Sequence, residues 1–332
     1  MNTNPIIKRI CILSMCGVLA CSAYGCRKTG KEDAAARGPE EMVIEISPEL
    51  KTSQIRQFQV DEKGTTKYKF DFRKRTDRER FLYWDMTVPY GSIAIVDSEA
   101  MYQLYENVLG ILEGHSKNQF VNTKDGADMS QYGIEDSGIK ITIGYVSDES
   151  ATSDATVADK KAVLLVGKDN QEGQYYCAME GAEDKIFLVD TYKIDAVRNK
   201  KPFDMILKIP YLVNINSVKQ VTIKLEEKKI QMANAKGSYK INGKQVTEDQ
   251  YKKLYASLLQ PSITGSYKEG MKEGNQIVSM EYKRTKKEYE PYKVRILSAN
   301  EKEDIIEVNG KRYFMIDKGE VESLVEVVKE YS

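Results

Sequence analysis

Apolar residues recur along this chain in two registers, and both registers occur twice. In residues 96–109 (VDSEAMYQLYENVL), Met101, Leu104, Tyr105, Val108 and Leu109 recur at three- and four-residue steps. That spacing lines one face of an amphipathic helix. Residues 246–259 (VTEDQYKKLYASLL) repeat the pattern at an offset of 150, with Leu104-Tyr105 over Leu254-Tyr255 and Val108-Leu109 over Leu258-Leu259. Asp97 and Thr247 precede these runs and suit the N-cap, and Thr247 with Gln250 spells a capping box. A second pair lies at an offset of 127, residues 185–197 (KIFLVDTYKIDAV) over 312–324 (RYFMIDKGEVESL). Here an apolar strand ends at Asp190 or Asp317 and a helix starts, with Glu320 completing a capping pair at the second site. Each carboxylate is expected to face the unpaired amides of its helix's first turn.

Strand-like runs fill the intervals. In the first half they are 42–46, 67–72, 82–87, 139–146, 162–166 and 174–179. In the second half they are 219–225, 229–233, 238–241, 277–282, 292–297 and 304–308. Short connections with Asn242-Gly243 and Asn309-Gly310 point to hairpins. The expected fold is α+β: two similar strand–helix units, antiparallel sheets with helices packed on one face. The expected division is a leader (1–25), a flexible tether (26–41), a first unit (42–199), a linker (200–217) carrying Pro202 and Pro210, and a second unit (218–332).

The first residues change this picture. Lys8 and Arg9 precede an apolar run, 10–20, which is too short to span a bilayer and has the length of a signal-peptide core. Small or weakly polar residues follow, then Cys26 and the basic Arg27, Lys28 and Lys31. Two stretches resemble a lipobox, Val18-Leu19-Ala20-Cys21 and Ala23-Tyr24-Gly25-Cys26. The lipidated residue is expected to be Cys26, with Cys21 as the alternative. Residues 27–41 are charged, contain Ala, Gly and Pro, and show no apolar period, as a tether does.

Composition narrows the chemistry. Lys and Arg number 50, as do Asp and Glu, so nothing in the overall charge favours nucleic acid or an anionic surface. Past the leader and the lipobox, the only cysteine is Cys177, read as a buried inert thiol. His115 is the single histidine, so a Ser-His nucleophile system would have to use it. Its place just after a helix suits a C-terminal cap instead. Zinc-ligand spacings are absent, Asp125 and Asp128 fail the calcium-loop pattern, and Gly265 to Gly274 lacks a phosphate-loop ending. No cofactor or metal is expected. The run Arg73-Lys74-Arg75 with Arg78 and Arg80 is interleaved with Asp77 and Glu79, as in a solvated loop; a lipid-headgroup patch is the other reading. The 21 tyrosines fit strand-rich structure, with sugar-stacking platforms as the alternative.

One set of motifs resembles a known family. Tyr132-Gly133-Ile134-Glu135-Asp136 leads into the strand Ile139–Ile143. Val163-Leu164-Leu165-Val166-Gly167, Gly173-Gln174-Tyr175-Tyr176 and Lys185-Ile186-Phe187-Leu188-Val189 follow, and Trp84-Asp85-Met86 precedes the helix. Together they resemble the domain of unknown function 4340 family. The chain departs from that pattern at Ser137-Gly138, where proline is usual, and in the insert 147–160. The resemblance implies an envelope protein of a kind often encoded beside ABC-type transporters, with no catalytic residues to carry over.

The expected function is therefore that of a non-catalytic, membrane-anchored envelope lipoprotein. It would be an accessory or binding module for membrane transporter subunits, with no nucleic-acid partner. Its expected place is the outer face of the cytoplasmic membrane, with the outer membrane as the other option. A carboxylate-dependent hydrolase of wall glycans and a sugar- or peptide-binding module using exposed tyrosines are the alternatives.

Overall fold

The structure, a computed structural model, describes residues 50–73, 84–91, 93–112, 121, 129–147, 157–235, 237–286 and 291–332. All of them belong to one compact unit, Val43–Ser332. The first half runs β1 (Ile55–Glu62), β2 (Thr65–Phe72), β3 (Trp84–Val88), β4 (Ala94–Ile95), α1 (Ser98–Leu112), β5 (Ile139–Tyr145), β6 (Lys160–Asp169), β7 (Gln174–Met179), β8 (Ala182–Asp190) and α2 (Thr191–Arg198). The second runs β9 (Val218–Leu225), β10 (Lys228–Ala235), β11 (Ser238–Ile241), β12 (Lys244–Gln245), α3 (Glu248–Leu258), β13 (Ile263–Ser266), β14 (Gln276–Arg284), β15 (Tyr292–Ser298), β16 (Glu303–Val308), β17 (Lys311–Asp317) and α4 (Lys318–Lys329).

The chain is mainly β, which corrects the α+β expectation. Strand makes up 46% and helix 24% of the described residues, and two antiparallel sheets carry four short helices. The excess comes from strands with weak sequence signals. In β1 the register shifts between Ile55 and Gln57, so Ile55 and Phe58 are both buried although their parity differs. A bulge of this kind erases the period of two that marks a strand. β4 and β12 are two residues long, and β13 is four residues with a glycine inside.

The sheets run β4-β3-β2-β1-β5-β6-β7-β8 and β12-β11-β10-β9-β14-β15-β16-β17-β13. Apart from the added β13 the strand order is the same, element for element, and the helices fall at the same points. Single hydrogen bonds correspond too. Val96 N–H donates to Trp84 O at 3.0 Å and Val246 N–H to Tyr239 O at 3.0 Å. Val121 N–H donates to Ile186 O at 3.0 Å, beside β8, where Tyr267 N–H donates to Tyr313 O at 2.8 Å, beside β17.

The helix starts differ in detail. Thr247 and Gln250 close the capping box at α3, and Asp317 accepts the Glu320 N–H at 2.9 Å. Glu320 does not reciprocate: its carboxylate takes the Ser262 N–H at 2.6 Å and hydroxyl at 2.7 Å. Asp190 starts α2 but makes no side-chain cap, because its carboxylate is engaged by the Gln174 amide at 3.2 Å.

One face of each sheet lies under its helix pair, and a single apolar cluster runs through both halves. Leu104 and Leu254, at the centres of α1 and α3, are fully buried in it. Residues 200–217 also enter this core through Met205, Ile206, Tyr211 and Val213. Asp97 N–H donates to Met205 O, Leu207 N–H to Ile95 O and Ile263 N–H to Lys208 O, all within 2.8–2.9 Å. This segment therefore joins the β4 edge of one sheet to the β13 edge of the other. Tyr90 packs on Phe314 beside it, ring centroids 4.8 Å apart.

On the opposite faces only small apolar patches persist. Ile134 covers Val163, Leu165, Ala178 and Ile186 in the first sheet; Tyr267 and Met271 cover Leu297, Ile305 and Met315 in the second. The rest of each outer face is polar and open.

Candidate functional site

A solvent-facing cleft of about 660 Å³ opens on the outer face of the second sheet, lined by Tyr267, Glu269, Arg295, Glu307, Gly310 and Arg312. Strand register builds it. Arg295 on β15 pairs with Glu307 on β16, and Glu307 pairs in turn with Arg312 on β17. Directly opposed residues share a face, so the three side chains meet. The β16–β17 hairpin turns at Asn309-Gly310 with φ of 50° and 79°. Two successive positive φ values make the tight turn that sets 307 against 312.

Glu307 is 6% exposed. Its carboxylate accepts Arg295 Nε at 2.6 Å, Arg295 Nη2 at 2.6 Å and Arg312 Nε at 2.9 Å. The Arg295 hydrogen bonds, joined by Arg312, hold its pKa below the usual carboxylate range against the opposing effect of burial. Arg312 Nη1 reaches the Glu273 carboxylate, which also accepts the Tyr267 hydroxyl at 3.2 Å. Each guanidinium has five N–H donors, and these bonds use two from each. Both arginines line the cleft. They suit a planar acceptor such as a carboxylate or phosphate, which arginine grips through two parallel bonds.

A second cleft, about 420 Å³, lies between α3 and α4 and is lined by Lys253, Ala256, Ser257, Gln260 and Val327. It gathers no comparable cluster of charge.

Most residues singled out in the sequence lie elsewhere. Cys26, Cys21, His115, Asp125, Asp128, Arg75, Arg78 and Arg80 are outside the described residues. Arg73 is within them and pairs with buried Asp85 at 2.7 Å. Cys177 is fully buried in β7, and burial pushes its thiol pKa up. Gly265 lies within β13, and Gly270 and Gly274 in the segment that follows it. Tyr68, Tyr105, Tyr211, Tyr251, Tyr255 and Tyr282 are core residues, whereas Tyr102 and Tyr192 are exposed. Among the described residues no group of three or more His, Cys, Asp or Glu could hold a metal ion. No described helix is long and apolar enough to cross a membrane. Sequence reasoning missed Arg295, Glu307 and Arg312. The available signal was the Asn309-Gly310 turn, which sets 308 against 311 and therefore 307 against 312.

Fold and site together define a class: two open antiparallel sheets of matching strand order, edge-joined, with an arginine-lined cleft on one outer face. The chain belongs to the family described as Domain of unknown function (DUF4340), whose model matches residues 84–269, from β3 to the segment that follows β13. No curated protein and no solved structure matches it.

Proposed function

We propose that the chain is a membrane-anchored envelope lipoprotein that works without catalysis, as a binding module for subunits of an ABC-type membrane transporter. The observation that carries the binding role is the Arg295–Glu307–Arg312 cluster. It presents fixed guanidinium donors at an open cleft. The leader, the two lipobox-like stretches and the charged tether support the anchored placement. The family supports the envelope setting. An acidic side chain or a terminal carboxylate of a transporter subunit matches the donors that border the cleft.

The test is a pull-down of the tagged full chain from detergent-solubilised membranes, with recovered proteins identified by mass spectrometry. The expected result is recovery of transporter subunits by the wild type and their loss with Arg312→Ala. Equal recovery by both would remove the cleft from the contact. Turnover of wall glycans by the purified protein would replace the binding role with an enzymatic one.

A further inference from the structure

The outer face of the second sheet carries more than the cleft. Strand register places three lateral rows of side chains on it. Lys229, Lys224, Ser279 and Arg295 lie side by side across β10, β9, β14 and β15. The next row is Gln231, Thr222, Glu281 and Lys293, and the third is Lys240, Ala233, Gln220 and Lys283. Lys224, Lys229, Lys240, Lys283 and Lys293 are all exposed. None of them makes an ion pair with a described residue. Lys224 and Lys229 are directly opposed, a pairing that like charges disfavour. Outside the arginine cluster, Glu281 is the single carboxylate in these rows.

The first sheet is built the other way. Its outer face carries Asp61, Asp71 and Asp85. Asp71 takes the Lys69 ammonium at 3.3 Å and the Gln57 amide at 3.3 Å, and Asp61 takes the Thr66 hydroxyl at 2.6 Å. Lys161 is paired with Glu180 at 2.6 Å. A chain of zero formal net charge thus places an unbalanced basic face on one of two matching sheets.

We propose that this face docks on an anionic membrane surface, its five unpaired lysines meeting lipid phosphates. The inference rests on the membrane-anchored reading. Charge complementarity favours a lipid surface because the lysines are spread over a broad open sheet and do not converge on a pocket. Such a spread suits many mobile headgroups better than one shaped partner. Each lysine near an anionic surface strengthens binding about fivefold, and the attraction fades beyond roughly 8 Å at physiological salt.

The test reconstitutes the full acylated chain into vesicles of phosphatidylcholine alone, or of equal parts phosphatidylcholine and phosphatidylglycerol. Lysines are then labelled with an amine-reactive ester and mapped by mass spectrometry. The expected result is labelling of Lys224, Lys229 and Lys293 slowed about fivefold or more by phosphatidylglycerol and restored by high salt. Lys69, Lys140 and Lys161 on the first sheet should label equally in both vesicles. In Lys224→Gln/Lys229→Gln, protection of Lys293 should weaken. Equal labelling of the second face in both vesicles would overturn the proposal. Protection seen in native membranes but not in phosphatidylglycerol vesicles would also overturn it and would point to an acidic protein. A chain that fails to associate with phosphatidylcholine vesicles at all would contradict the anchored reading, a separate failure.

Discussion

Two buried carboxyl groups on one strand, Glu307 and Asp304, have opposite fates. Burial disfavours the charged form of each, but Glu307 has three arginine hydrogen bonds to offset it. Asp304 is fully buried, and neither carboxylate oxygen has a hydrogen-bond partner among the described residues. Its pKa is raised, mainly by burial; the nearby Ala299 amide and Lys318 offset only part of that, and Glu322 adds to the rise. The signs follow from proton linkage. Glu307 stabilises the fold above the unfolded carboxylate pKa, and that contribution is lost as pH falls through its depressed folded value. Asp304 does the reverse: the folded state holds its proton more tightly than the unfolded one, so stability declines as pH rises from the unfolded pKa to the raised folded one. In urea titrations across pH, Asp304→Asn is expected to remove a downward slope on the alkaline side of pH 4, roughly the unfolded carboxylate value. An unchanged slope would show that Asp304 is ionised in the fold. Glu307→Gln is expected to cost about 1–3 kcal/mol near neutral pH, toward the lower end because Arg295 is half exposed and well hydrated.

At the scale of elements, α1 and α3 carry the same apolar stripe, and their central leucines are fully buried. Leu104→Ala and Leu254→Ala are each expected to cost about 2–5 kcal/mol by chemical denaturation. A loss under 1 kcal/mol at either position would mean that its helix is not seated on the core. These helices were legible because their period of 3.6 is unbroken over about four turns in α1 and three in α3. The strands β9, β10, β14 and β15 were legible because buried residues alternate with more exposed ones along most of their length. β1 was not, since its bulge shifts the parity, nor were two-residue strands such as β4, which have no period to read. The N-caps show how one residue redirects a chain. Gln250 returns to the Thr247 N–H at 3.0 Å, so that amide is satisfied within its own helix. Ala100 holds the matching place in α1 and cannot reach back. The Asp97 N–H goes instead to Met205 O, at the junction between the sheets.

For the whole molecule, that junction and the shared core predict cooperation. Trp84, the chain's one tryptophan, lies in β3 and reports on the first sheet, whereas far-ultraviolet circular dichroism reports on both. Their unfolding midpoints are expected to coincide in one transition; two separated midpoints would show independent halves. The junction was not legible in the sequence, where Pro202 and Pro210 suggested a linker, because edge pairing depends on which strands end nearby. The basic face was hidden for a similar reason. Balanced composition is a sum over the surface, and only register reveals that five unpaired lysines share one side. The site shares this dependence on pairing, since Arg295 lies 12 residues from Glu307 along the chain and meets it only across β15 and β16.

The arginine-lined cleft and the basic face both acquire their proposed roles from attachment to a membrane. The most direct test of that attachment is the mass of the amino-terminal peptide of the mature protein purified from membranes. The account predicts a peptide that begins at Cys26, or at Cys21, and carries the added mass of a diacylglyceryl group, with nothing upstream. An unmodified peptide that reads through both cysteines would contradict it.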